Sequence, residues 1–115
     1  MLKLSFFFFF KPPFLIFKIN NLMNKEPIDL LKKATIVNEL GLHARAAAKI
    51  VNLAAKANQK IWIIKDNERI DASSIIDILT LGYTKGTLIT LAAENKTDID
   101  ILNNIIILVE NGFGE

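Results

Sequence analysis

From Ala44 to Ala57 the chain carries apolar residues at 47, 48, 50, 51, 54 and 55, the spacing of one helical face, and most of its residues are good helix formers. Lys33–Val37 and Lys60–Lys65, on either side, are short and β-branched and read as strands. Asp66-Asn67 has turn composition, and Arg69–Asp71 is the returning strand of a hairpin. Ser73-Ser74 then opens a brief helix over Ile75–Leu81, with serine as its N-cap. Gly82 and Gly86 bracket a turn, and Thr87–Ala92 alternates polar and apolar as a half-buried strand does. Asn95 and Thr97 precede a last helix over Asp98–Glu110, with Gly112 as its stop. The order β-α-β-β-α-β-α places helices between strands yet contains a hairpin. The class is therefore α+β: an open-faced sandwich with a four-stranded, mostly antiparallel sheet and three helices on one face.

A chain of 115 residues, 51% hydrophobic and 23% charged, fits one packed domain. It has no cysteine, which excludes thiol catalysis and thiolate metal sites and suits a cytoplasmic setting. Residues 1–22 stand apart, with five successive phenylalanines and two prolines. They lack the cleavage site of a signal peptide and the uninterrupted run of about 20 apolar residues that a membrane span needs. The expectation is a disordered or artefactual leader, with Met23 as the initiator and residues 23–115 as the domain. Lys3, Lys11 and Lys18 lie in this leader; without them 11 basic groups face 12 acidic ones. The body is near neutral, carries no basic stripe, and is not expected to bind nucleic acid or a membrane.

The chemistry concentrates at Gly41-Leu42-His43-Ala44-Arg45. His43 is the only histidine of the chain and stands where a loop meets the first helix. Backbone N–H groups are unpaired there and the helix dipole is positive. Such a position holds an anion, and it disfavours imidazolium, leaving a ring nitrogen nucleophilic. Arg45 in the first turn runs against the dipole, which a bound anion explains. One histidine without cysteine makes a poor metal site. No nucleophile elbow or Gly-rich nucleotide loop is present.

These residues, with Ala46-Ala47 after them, resemble the active-site signature of the HPr family, histidine-containing phosphocarriers of the bacterial phosphoenolpyruvate-dependent phosphotransferase system. A second block, Ser74-Ile75-Ile76-Asp77-Ile78-Leu79-Thr80-Leu81-Gly82, and a third, Lys85-Gly86-Thr87, extend the resemblance over about Lys32 to Glu110. It implies that His43 Nδ1 accepts a phosphoryl group from phosphorylated Enzyme I and passes it to an EIIA-type protein. It implies that Arg45 and the N–H groups of Ala44 and Arg45 compensate the charge, and that no cofactor or metal takes part. Ser74 becomes the target of an HPr kinase/phosphorylase, besides its role as N-cap. Ala48, Ile75, Ile76, Leu79 and Thr80 become the surface that docks the partners of a monomeric carrier, and Ile78 belongs to the core.

Two departures from the family pattern stand out. Ala46 replaces a common proline, which adds a donor N–H at the anion end without threatening the helix. Asp77 lies where some relatives have lysine or glycine. Asp77 fits a different partner set, and Ala46 with the Asp71–Ser74 stretch makes a regulatory phosphocarrier of the nitrogen type, driving no sugar uptake, a credible alternative. A small α+β RNA-binding module is the remaining alternative from another class. Beyond the leader the aromatics number only Trp62, Tyr83 and Phe113, too few for its stacking platforms.

Overall fold

The computed structural model describes residues 30–115; the expectations for residues 1–22 lie outside them. Strand β1 (Leu31–Thr35) leads through a loop into helix α1 (Ala44–Ala54), followed by the hairpin β2 (Ile61–Lys65) and β3 (Glu68–Asp71). Helix α2 (Ile75–Leu79), strand β4 (Leu88–Ala93) and helix α3 (Ile99–Glu110) complete the order. The sheet runs β1-β4-β2-β3, and all its pairings are antiparallel. The α+β open-faced sandwich expected from the sequence is the observed fold.

Burial alternates along the strands and shows which face the helices cover. Ala34, Ile61, Ile63, Ile89, Leu91 and Ala93 point to one side and are buried. Leu31 and Leu88 point to the other and are about half exposed. From the helices, Ile50, Ile78, Leu102, Ile105 and Val109 meet the buried face and are fully buried. At about 25 cal/mol per Å² of apolar surface removed from water, this single layer of aliphatic contacts is the main stabilising force.

The elements fall within a few residues of their expected ends, and the differences have local causes. Helix α1 stops at Ala54 instead of Ala57 because buried Asp98 takes the N–H groups of Asn58 and Gln59, each at 2.8 Å. Those two bonds pull the backbone away from the helical path. Helix α2 stops at Leu79 instead of Leu81, where Leu81 and Gly82 donate to Ile78 and Leu79 in tighter i→i−3 bonds, 3.1 and 3.3 Å long. Ile36 and Val37 lie beyond β1, although Ile36 exchanges backbone bonds with Thr87 and Gly86. A 3₁₀ turn, Lys96–Asp98, capped by Asn95, takes the first residue assigned to α3.

Candidate functional site

The loop from Asn38 to Leu42 fixes how α1 begins. Gly41 has φ +63°, and a Cβ there would sit 2.6 Å from the Tyr83 carbonyl oxygen and 2.9 Å from Thr84 Cα. Only glycine tolerates both the backbone and the approach. The next residue uses that closeness, as the Leu42 N–H donates to the same Tyr83 oxygen at 3.0 Å. With the loop pinned to the 83–84 turn, His43 arrives as the N-cap of α1 in an extended conformation.

His43 caps the helix with its own ring. Its Nδ1 accepts from the Arg45 N–H at 3.3 Å, and its carbonyl accepts from the Ala47 N–H at 2.9 Å. On the far side of the ring, Nε2 meets the Glu115 carboxylate. Only one tautomer satisfies both neighbours: Nε2 carries the proton and donates it to Glu115, and Nδ1 presents a lone pair. The side chain is 23% exposed, so solvent and partners reach the ring. No acidic residue lies in the first turn of α1, so the positive end of the helix is not compensated by its own sequence.

Arg45 is exposed and makes no side-chain hydrogen bond among the described residues. Its charge nevertheless acts on Glu115. The hydrogen bond from His43 holds the Glu115 carboxyl below the usual carboxylate range, helped by a hydrogen bond from Asn38 and by the Arg45 charge. His43, the Arg45 backbone and the first turn of α1 thus stand together at one helix end.

Four contributors escaped sequence reasoning. Glu115 is held by Asn38, whose Nδ2 donates to Glu115 Oε1 at 3.1 Å and to Gly41 O at 2.9 Å. Asn38 is buried, and its Oδ1 has no hydrogen-bond partner among the described residues. An orphaned buried acceptor costs roughly 1–3 kcal/mol, a penalty incurred by turning both donors toward the site. Lys49, on α1, donates to the Phe113 carbonyl at 2.6 Å. Phe113 itself is fully buried with φ +60°, between Gly112 and Gly114 at +65° and +76°. The available signal was Gly-Phe-Gly past a helix stop, an aromatic flanked by two conformationally free residues.

The second block lies on α2, which packs against α1. Ser74 is the N-cap, its Oγ accepting from the Asp77 N–H at 3.3 Å. The Ser73 hydroxyl is engaged elsewhere, donating to Asp71 Oδ1 at 2.6 Å. Ile76 is 67% exposed and Leu79 37%, whereas Ile78 is fully buried as its assignment to the core expected. Ile75 and Ala48 are half-buried, and exposed Thr80 donates its hydroxyl to the Asp77 carbonyl. No helix among the described residues is long and apolar enough to cross a membrane.

The family model described as PTS HPr component phosphorylation site matches residues 31–111. The chain belongs to the HPr family of phosphocarriers. It is 38% identical to the phosphocarrier protein HPr of Pseudomonas aeruginosa over 82 residues, 70% of this chain and 91% of that protein. It is 36% identical to the phosphocarrier protein NPr of Shewanella violacea over 86 residues, 75% of this chain and 94% of that one. The crystal structure of HPr-C-His from Thermoanaerobacter tengcongensis superimposes with a TM-score of 0.68 at 38% identity, covering 74% of this chain and 96% of that chain. The HPr family match spans all four strands and all three α-helices, so the resemblance read from three short blocks extends over the folded domain.

Proposed function

We propose that His43 Nδ1 takes a phosphoryl group from phosphorylated Enzyme I, itself charged from phosphoenolpyruvate, and passes it to an EIIA-type protein. The observation that carries this reading is the ring of His43 as the cap of α1, with Nδ1 unprotonated and facing the Arg45 N–H. In each transfer Nδ1 forms a bond to phosphorus as the donor's bond to phosphorus breaks in line. Three oxygens bearing negative charge then sit at the positive end of an 11-residue helix. The N–H groups of Ala44 and Arg45 and the Arg45 guanidinium compensate that charge, and much of the alignment comes from the partner.

The exposed Ile76 and Leu79, with Ala48, Ile75 and Thr80 beside them, form the docking surface in this reading. Ser74 is the regulatory site for an HPr kinase/phosphorylase, and the carrier acts as a cytoplasmic monomer. A nitrogen-type regulatory role is the second reading. Asp77 favours it, since it puts an exposed acid between Ile76 and Leu79 and so alters which partner surfaces are accepted. The two readings share the His43 chemistry and differ only in the partner.

Mass spectrometry after incubation with phosphoenolpyruvate and Enzyme I tests the proposal. An acid-labile gain of about 80 Da, one phosphate, is expected on the wild-type chain and is absent from His43→Ala. A gain retained by that variant moves the acceptor elsewhere. The same spectrum reads whether the purified chain begins at Met1 or Met23.

A further inference from the structure

Two serines stand side by side before α2, and their surroundings differ. Ser73 is exposed and Ser74 is half-buried, so exposure alone favours Ser73 as the target of a modifying enzyme. Hydrogen bonding points the other way. The Ser73 hydroxyl donates its proton to Asp71 Oδ1 at 2.6 Å, and the Ser73 N–H donates to the same oxygen at 2.8 Å. The second oxygen of that carboxylate accepts from the Lys60 ammonium at 2.6 Å. Asp71 is the last residue of β3 and lies opposite Trp62 in the sheet register, so the side chain that ties down Ser73 is anchored on a strand. The backbone beyond it is fixed as well, since Ala72 donates to the Ile61 carbonyl and Ser74 to the Asp71 carbonyl. At Ser74 the hydroxyl oxygen accepts the Asp77 N–H, and its proton has no acceptor among the described residues.

We propose that Asp71 is a specificity-determining residue for regulatory phosphorylation: by engaging the Ser73 hydroxyl it confines the kinase to Ser74. The proposal rests on Ser74 being the regulatory site. A serine is phosphorylated when its oxygen forms a bond to the γ-phosphorus of ATP and the bond from that phosphorus to the bridging oxygen breaks. The electron pair leaves with ADP, and the hydroxyl proton passes to a base of the kinase. At Ser73 that proton already points at a carboxylate. Turning it away breaks a charge-assisted hydrogen bond and sets a negative group beside the incoming phosphoryl oxygens. Nor does Asp71 serve Ser73 as a base. Burial pushes its carboxyl up, but the bonds from Lys60 and Ser73 outweigh that and bring it to about 2, too weak to take a serine proton at neutral pH. Ser74 meets neither obstacle: its cap bond uses one lone pair, and the other lone pair and the proton stay available. Asp71 acts only through Ser73.

Incubation of the full chain with HPr kinase/phosphorylase and ATP, followed by phosphopeptide mapping in a mass spectrometer, tests this. The wild type carries its label on Ser74. In Asp71→Ala the ratio of label on Ser73 to label on Ser74 rises at least about tenfold, the scale of losing a charge-assisted hydrogen bond. Asp71→Asn, which keeps an acceptor oxygen without the charge, gives an intermediate ratio. A general loosening of the domain lowers the total label and leaves the ratio where it was. Ser74→Ala, which leaves Asp71 in place, takes up no label, and adding Asp71→Ala to it restores labelling at Ser73.

Three results overturn the proposal: label on Ser73 in the wild type, label on Ser73 in Ser74→Ala at the rate of Ser74 in the wild type, or a ratio unchanged in both Asp71 variants. No label on either serine of the wild type removes Ser74 as the regulatory site and this proposal with it. Label confined to Ser74 in the wild type and in both Asp71 variants removes the proposal alone.

Discussion

The N-termini of α1 and α2 are built alike and charged differently. Each is capped by a side chain that accepts a backbone N–H at 3.3 Å, His43 from Arg45 and Ser74 from Asp77. At α1 the first turn has no acid and contains Arg45, so the helix end attracts an anion that the sequence itself does not supply. At α2 the first turn already contains Asp77, and the helix is only five residues long. A phosphate on Ser74 keeps an acceptor for the Asp77 N–H but meets the Asp77 carboxylate. The two caps also differ in what secures them. Ser74 is held by its own neighbours in sequence, whereas His43 depends on Glu115 and Asn38, brought in by distant parts of the fold. In the proposed reading the same capping geometry supports two roles: a phosphoryl acceptor at α1 and a local stop at α2 that modification adjusts.

Substitutions separate the two ends. Phe113→Ala has the largest expected effect, about 3–5 kcal/mol lost in urea unfolding from a fully buried aromatic. It also releases Glu115 from His43 while leaving the Ser74 cap intact, which backbone amide shifts at Asp77 report. If the amides of α1 and α2 move equally, the contrast between a tertiary and a local cap fails. Arg45→Glu comes next. It places a second negative charge where the phosphoryl group sits, and initial rates with Enzyme I are expected to fall about 100-fold, as when one charge-stabilising donor is removed. Asp77→Lys changes those rates by only a few-fold, through docking.

Ser74→Ala is smaller, about 1 kcal/mol, the loss of one N-cap measured by thermal unfolding. Its phosphorylation by Enzyme I stays unchanged. The smallest effect concerns Asp71, which ties down the Ser73 hydroxyl beside α2. Burial pushes its carboxyl up, but hydrogen bonds from Lys60 and Ser73 and the Lys60 charge outweigh that and bring it from 3.8 to about 2. A carboxylate with a depressed folded-state value stabilises fully above its unfolded value and loses that contribution as pH falls through the folded one. The stability difference between wild type and Asp71→Asn is thus constant above about pH 4 to 5 and closes as the pH approaches 2, read by acid titration of the two proteins.

What the sequence made legible follows from where the determining contacts lie. Helix α1, the hairpin turn and the Ser74 cap are set by residues close in the chain, so their periodicity and composition sufficed. The end of α1 shifted because Asp98, 40 residues from Asn58, competes for backbone N–H groups, and no local pattern carries that information. At the site, His43 and Arg45 declare themselves by standing at a helix start. Asn38 and Glu115 lie 77 residues apart and meet only once the 111–115 hook is folded, so neither was visible. Gly112 did end α3 as expected; that Phe113 then enters the core depends on the tertiary packing.

Phosphorus–nitrogen coupling in the ¹⁵N-histidine-labelled chain, charged by Enzyme I and phosphoenolpyruvate, tests the central claim most directly. Splitting of the His43 Nδ1 resonance by ³¹P, with the proton still on Nε2, is the expected result. Coupling at Nε2, or a phosphorylated chain whose histidine nitrogens show none, contradicts the account.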